Sequence, residues 1–90
     1  MDIKQKIGAR IKELRKNRSQ EDIANTAEME RSFMTHIESG RRNISVETLQ
    51  RILTALDISF QEFFNIKEFS KPWVSNWTIS IYLLGVVGFL

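Results

Sequence analysis

Residues 19–43 constrain the fold of this chain more than any other stretch, and they read SQEDIANTAEMERSFMTHIESGRRN. Their apolar spacing predicts two short helices joined by a tight turn and followed by a basic loop. In the second helix, expected at about residues 31–39, Phe33, Met34 and Ile37 form an apolar stripe. The opposite face carries the hydrogen-bonding side chains of Arg31, Ser32, Thr35 and His36. Such a face suits the base edges of the DNA major groove, although the same pattern also fits an ordinary amphipathic helix in a small bundle.

The segments on either side of this stretch also follow helical spacing, and they predict three further helices. The first helix is expected over about residues 3–16, the fourth begins near Ser45, and a short fifth helix begins near Ser59. The expected buried stripes are Ile3, Ile7, Ile11 and Leu14 in the first helix and Val46, Leu49, Ile52, Leu53 and Leu56 in the fourth. Glycine at position 8 costs the helix about 1 kcal/mol relative to alanine. We expect the missing side chain of Gly8 to allow another helix to pack closely at this point.

Local signals mark where several of these helices begin and end. Ser19 with Asp22, and Ser59 with Glu62, have the spacing of capping boxes. Glu30 is a weaker candidate cap for the third helix, and Gly40 is placed to end that helix with a positive φ. These signals agree with the apolar spacing, so the sequence predicts an all-α fold in which five helices form one compact domain.

We expect that domain to span residues 1–69 and to be followed by a hydrophobic tail over residues 70–90. From Trp73 to Leu90 the chain carries 18 uncharged residues, which is near the lower limit for a membrane span. Serine, asparagine and threonine interrupt this run, so a membrane anchor is a marginal interpretation. The tail also fits a dimerisation segment, a segment packed against the domain, or a non-native extension.

The charge of the chain is unevenly distributed. Residues 1–18 hold seven basic residues against two acidic ones, whereas the rest of the chain holds six basic and nine acidic residues. A basic end on a nearly neutral chain suits contact with phosphates, although a lysine-rich solvated helix face is a common alternative. The N-terminal sequence is charged and has no apolar core, so we expect no cleavable signal.

Catalysis is not indicated by the residue types present. The chain has no cysteine and a single histidine, His36, and no motif supplies a nucleophile with its base, a glycine-rich phosphate loop or a metal cluster. We therefore expect no enzyme activity, no catalytic residue, no metal site and no cofactor. The lack of cysteine fits a reducing compartment, and we expect a cytoplasmic protein of bacterial or phage type, with a membrane-anchored form as the alternative.

Four fragments in a fixed order resemble the Cro/phage-repressor (xenobiotic-response-element) helix-turn-helix family. IGARIKELR resembles its first helix, SQEDIA its scaffold helix, ERSFMTHIESGRRN its recognition helix and loop, and SVETLQRILTALDISFQEFF its last two helices. The likeness covers about residues 7–64. Within the family, residues 30–59 look particularly like the controller proteins of restriction–modification systems.

The resemblance implies roles for individual residues. Gln20 is expected to contact the DNA backbone and to support the recognition helix, and Arg15 with Glu38 to form an internal ion pair. The expected DNA-contacting residues are Gln20, Arg31, Ser32, Thr35, His36, Arg41, Arg42 and Asn43. Two alternatives stay open: a surface ion pair of Arg31 with Glu28 or Glu38, and a His36 that is only exposed or partly packed.

Two departures from the family pattern concern the turns. Only Lys16, Asn17 and Arg18 separate the first two helical fragments, two residues fewer than usual, so we expect an early helix end or a tight connection with Asn17 in the left-handed region. Glu28 stands where the family commonly has glycine with a positive φ, at a cost of roughly 1 kcal/mol.

The leading functional hypothesis is a sequence-specific DNA-binding transcriptional regulator that binds a palindromic operator of double-stranded DNA as a homodimer. The expected dimer contacts are aromatic: Phe60, Phe63, Phe64, Phe69 and Trp73. Two other classes remain open. One is an antitoxin that binds its own promoter and also a toxin partner, and the other is a regulator anchored in the membrane through residues 73–90.

Overall fold

The computed structural model describes residues 1–70, which fold into α-helices and one short 3-10 helix. The helices are α1 (Ile3–Arg15), α2 (Gln20–Thr26), α3 (Arg31–Glu38), α4 (Val46–Leu56) and α5 (Phe60–Phe64), and the 3-10 helix is Lys67–Phe69. No strand occurs in this part of the chain. The predicted all-α fold with five helices is therefore confirmed.

Four short polar side chains set where most of the helices begin. Asp2, Ser19, Ser45 and Ser59 each accept a hydrogen bond from a backbone N–H in the first turn of the helix that follows. This satisfies donors that the helix itself leaves unpaired. Glu30 makes no such bond, so the weak cap predicted for α3 is not formed by its side chain.

The core is formed by side chains from all five α-helices. Its largest fully buried side chains are Ile11, Ile23, Met34, Ile37, Ile52, Leu53 and Phe63. Burying one such side chain stabilises the fold by about 1.5–3 kcal/mol. The ends of two predicted stripes lie outside this core, because Ile3 is 55% exposed and Val46 is 74% exposed. Both residues occupy the first position of their helix, where the chain has not yet entered the packed interior.

Three residues other than glycine adopt a positive φ where the chain turns: Lys16 (53°), Glu28 (58°) and Asp57 (59°). At the short connection between α1 and α2 the unusual conformation falls on Lys16, not on Asn17 as we expected. At Glu28 the expected strain is present, since the tight turn before α3 needs a left-handed residue. Asp57 ends α4, and aspartate tolerates this region better than most residues.

No helix within residues 1–70 combines the length and apolarity needed to cross a membrane. The predicted tail after Ser70, including Trp73 and the possible anchor at residues 73–90, lies outside the described residues.

Candidate nucleic-acid interface

The apolar side of α3 is sealed against the rest of the domain. Met34 and Ile37 are fully buried, and they belong to the same core as Ile23 and Ala24 of α2. The turn between the two helices is closed by the backbone N–H of Met29, which donates to the carbonyl oxygen of Ala24 at 2.9 Å. Because the apolar side is fixed inward, the polar side of α3 has to face solvent.

The polar side of α3 is open along its length. Its exposed members are Arg31, Ser32, Thr35 and His36. Arg31 forms no salt bridge with any residue described here, so the surface pair with Glu28 or Glu38 that the sequence left open is not present. Ser32 reaches Glu30 only at 3.4 Å, which is too long for a strong hydroxyl hydrogen bond. The side chains of Arg31 and Ser32 are therefore available to a ligand.

Arg15 and Glu38, predicted to pair, are joined by two hydrogen bonds that connect α1 to the end of α3. Arg15 Nε donates to Glu38 Oε2 at 2.7 Å, and Arg15 Nη2 donates to Oε1 at 2.9 Å. The side chains are 14% and 4% exposed, so the ion pair is almost completely buried. Hydrogen bonding to the Glu38 carboxylate raises the pKa of Arg15, although burial opposes the shift. Arginine therefore stays charged at any physiological pH.

Gln20 extends this ion pair toward the open face of α3. Its Nε2 donates to Glu38 Oε1 at 3.0 Å, and its Oε1 accepts a hydrogen bond from the hydroxyl of Thr35 at 2.8 Å. The first residue of α2 thus braces α3, which agrees with the supporting role that the resemblance implied. The contact between Gln20 and Thr35 was not foreseen, because it depends on how two helices cross.

The basic loop after α3 is held at its start by the backbone and at Arg42 by a side-chain contact. Gly40 adopts φ 78°, and the N–H of Arg41 donates to the carbonyl oxygen of His36 at 2.9 Å. Arg41, Arg42 and Asn43 are all exposed. The guanidinium carbon of Arg42 lies 5.1 Å from the ring centroid of Phe33, a cation–π contact that we did not predict. It holds one loop arginine beside the exposed face of α3.

Three of the seven basic residues at positions 1–18 form hydrogen bonds with other parts of the domain. Arg10 donates to the carbonyl oxygens of Glu62 and Phe63, both at 2.9 Å, and Arg18 donates to the carbonyl oxygen of Ala55 at 2.8 Å. These bonds satisfy carbonyls at the ends of α5 and α4. Arg15 is held by Glu38. The phosphate-contacting role suggested by the basic N-terminal end therefore does not extend to Arg10 and Arg15, whose side chains are 11% and 14% exposed, whereas Arg18 is 44% exposed. The sequence did carry a signal for these internal hydrogen bonds: the three residues are arginines, and arginine forms several fixed hydrogen bonds more readily than lysine does.

The aromatic residues predicted to form a dimer contact do not share one environment. Phe63 is fully buried in the protomer and therefore cannot contact a second protomer, so its predicted place in the dimer interface is wrong. Phe64 is 38% exposed, whereas Phe60 and Phe69 are partly buried. The rings of Phe64 and Phe69 meet edge to face at 4.9 Å. An aromatic surface therefore remains around Phe64, while the predicted contribution of Trp73 lies outside the described residues.

Comparison with known proteins gives a consistent set of relatives. Residues 11–63 match the family model described as helix-turn-helix (HTH_3). The control protein C.MunI of Mycoplasma sp. is 37% identical over 67 residues, which cover 71% of this chain and 90% of that protein.

Two solved controller proteins share this fold. The restriction–modification controller protein C.AhdI of Aeromonas hydrophila is 40% identical and superposes with a TM-score of 0.65, covering 68% of this chain and 91% of its own. The wild-type restriction–modification controller protein C.Esp1396I is 30% identical with a TM-score of 0.67, covering 71% of this chain and 85% of its own. The arrangement of α1 to α5 is therefore similar to that of controller proteins.

Proposed function

Because the chain belongs to the helix-turn-helix family of Cro and phage-repressor type, we propose that it is a sequence-specific DNA-binding transcriptional regulator. The observation that carries the proposal is the open polar face of α3 above a sealed apolar back. The relatives point to a finer role, since C.AhdI and C.Esp1396I are named as restriction–modification controller proteins. We propose the same role here: control of transcription in a restriction–modification system.

In the proposed complex α3 lies in the major groove. Arg31, at the start of α3, forms two hydrogen bonds with O6 and N7 of a guanine, a contact worth about 1–3 kcal/mol of discrimination. Ser32, Thr35 and His36 read neighbouring base edges. Support for this arrangement comes from their shared exposure on one face and from the lack of an internal ion pair at Arg31 among residues 1–70.

Phosphate contacts fix the docking angle in this proposal. Arg41, Arg42 and Asn43 follow α3 directly and are exposed, so they reach the sugar-phosphate ridge beside the groove. Gln20 is the first residue of α2 and would contact the DNA backbone through its side-chain amide. The contact of Arg42 with Phe33 reduces the side-chain freedom that DNA binding would otherwise remove.

A single domain of this size offers a small contact area, so we propose a homodimer on a palindromic operator. Two copies of α3 would then enter major grooves about one helical turn apart. The exposed aromatic surface around Phe64 supports this proposal, with Phe60 and Phe69 at its margin. No observation on residues 1–70 favours the antitoxin or the membrane-anchored alternative, and we propose a cytoplasmic protein.

The test is selection of bound sequences from random DNA, followed by titration of the selected and scrambled sites against salt. A sequence-specific regulator keeps a large affinity ratio between the two sites as salt rises, because base contacts release no counterions. Equal affinity at every salt concentration would show that binding rests on phosphate contacts alone, and the proposed function would be wrong.

A further inference from the structure

We infer that Thr35 acts in the groove only as a hydrogen-bond acceptor, and that it therefore selects a base whose exocyclic amine lies in the major groove, adenine or cytosine. This inference rests on the proposed function, because it concerns the face of α3 that would meet DNA. It assigns a specificity to one residue from the polarity of a hydrogen-bonded chain that begins at the Arg15–Glu38 ion pair.

The hydroxyl of Thr35 has two protein neighbours within hydrogen-bond distance, and both are acceptors. Gln20 Oε1 lies at 2.8 Å and the carbonyl oxygen of Arg31 at 3.1 Å. A hydroxyl group has one proton to donate and two lone pairs that accept. Whichever neighbour receives the proton, Thr35 then offers only lone pairs to a molecule outside the protein.

The amide of Gln20 is held in the orientation that this argument needs. Its Nε2 donates to Glu38 Oε1 at 3.0 Å, so its oxygen points toward Thr35. If the amide turned over, its oxygen would face a carboxylate that is 4% exposed, and the repulsion would be poorly screened. Two hydrogen bonds from Arg15 hold that carboxylate in place. Glu38 and Gln20 are therefore positioning residues for the Thr35 hydroxyl.

An acceptor in the major groove distinguishes bases of equal size. Adenine presents the N6 amine and cytosine the N4 amine, whereas guanine O6 and thymine O4 are acceptors. Facing Thr35, guanine or thymine would set lone pairs against lone pairs and leave the groove atom without the partner it has in water. The contacted strand is thus expected to carry adenine in preference to guanine, or cytosine in preference to thymine.

Site selection with the wild type and with Thr35→Val locates the base that Thr35 reads, because valine keeps the shape of the side chain and loses the oxygen. We expect the variant to lose preference at one base pair of each half-site. Each base pair presents one amine in the major groove, on adenine or on cytosine, so the selected pair also identifies the amine that Thr35 would bind. Thr35→Ser, which keeps the hydroxyl and loses the methyl group, is expected to retain the preference.

The amine itself is tested by replacing the selected base with its amine-free analogue, purine for adenine or 2-pyrimidinone for cytosine. The wild type is expected to bind the modified site about tenfold more weakly, and Thr35→Val to bind both sites equally. Equal affinity of the wild type for the natural and the amine-free site, or no change in preference with Thr35→Val, would overturn the inference and leave the proposed function standing. A wild type that selects no sequence at all would overturn both.

Glu38→Gln tests the positioning role without touching the groove face. A neutral amide at this position no longer penalises rotation of Gln20, so Thr35 is expected to receive a hydrogen bond and to lose much of its amine preference. The preference read by Arg31 should remain, which separates this effect from a general loss of folding. An unchanged amine preference in Glu38→Gln would show that Glu38 does not set the polarity of Thr35.

Discussion

Gly8 of α1 lies against the backbone of Glu38 at the end of α3, so closely that a methyl group at Gly8 would stand 2.7 Å from the Glu38 carbonyl oxygen. The Cβ atoms of real side chains do not come this close to a backbone oxygen. The backbones of α1 and α3 are therefore in direct contact at Gly8. Glu38 thus contacts α1 twice, through its backbone at Gly8 and through its side chain at Arg15, and these contacts place the end of the candidate recognition helix relative to α1.

Gly8→Ala is therefore expected to destabilise the domain by about 1–3 kcal/mol, because the added methyl group forces α1 and α3 apart. The direction of the change in stability tests the contact, because replacing glycine by alanine inside an isolated helix would stabilise that helix by about 1 kcal/mol. Urea denaturation followed by circular dichroism gives the free energy of unfolding. A variant more stable than the wild type would show that the helices are not in this contact.

Breaking the ion pair at its arginine is expected to be costly. Arg15→Ala leaves the carboxylate of Glu38, which is 4% exposed, with Gln20 as its remaining side-chain partner. The expected loss is about 3 kcal/mol in the free energy of unfolding. Asp22→Ala is the matched control, because Asp22 and Arg18 are 50% and 44% exposed and their pair should contribute less than about 1 kcal/mol. Similar losses in the two variants would contradict the burial of the first pair.

Substitutions of the adjacent residues Phe63 and Phe64 are expected to change different properties. Phe63→Ala removes a fully buried ring and should cost about 3–5 kcal/mol of stability. Phe64→Glu alters a ring that is 38% exposed, and should leave the domain folded while weakening self-association. Sedimentation equilibrium and thermal denaturation separate the two effects. A Phe64→Glu protein that associates like the wild type would exclude this surface from the dimer.

The sequence predicts best what depends on neighbours along the chain. Helix starts at Ser19, Ser45 and Ser59 were recognisable because a capping side chain acts on the turn that follows it. The buried side of α3 was recognisable because its apolar residues recur at helical spacing. Both features reflect interactions over three or four residues, and the family resemblance gave their order in the fold.

Interactions between distant segments were harder to predict. Arg10 meets carbonyl oxygens more than 50 residues away, so its charge alone suggested a surface role that it does not have. Phe63 and Phe64 could not be distinguished, because α5 has only five residues and gives periodicity little room to separate its two sides. The contact of Gln20 with Thr35 required the crossing geometry of α2 and α3.

Glu28 offers a stabilising substitution. Its φ of 58° costs a side chain roughly 1–2 kcal/mol, which glycine does not incur. Because Glu28 is exposed and lies in the turn before α3, Glu28→Gly is expected to raise the free energy of unfolding by about 1 kcal/mol. Glu21→Gly is the control, since Glu21 lies within α2 and glycine there should destabilise by up to about 1 kcal/mol. Destabilisation by both substitutions would argue against a left-handed residue at this turn.

Arg31 and Arg41 are both exposed arginines near α3, and the proposed complex gives them different tasks. Arg31→Ala should remove the preference for guanine at one position of each half-site, at a cost of about 1–3 kcal/mol for that base.

Arg41→Ala, the matched control, should weaken binding to all sequences alike and lower the slope of log affinity against log salt by about one per binding site. Fluorescence anisotropy on the selected site, on single-base variants and on scrambled DNA over a range of salt measures both quantities. If Arg31→Ala also weakened every sequence equally and reduced the salt slope, Arg31 would be a phosphate contact, and the start of α3 would not be reading bases.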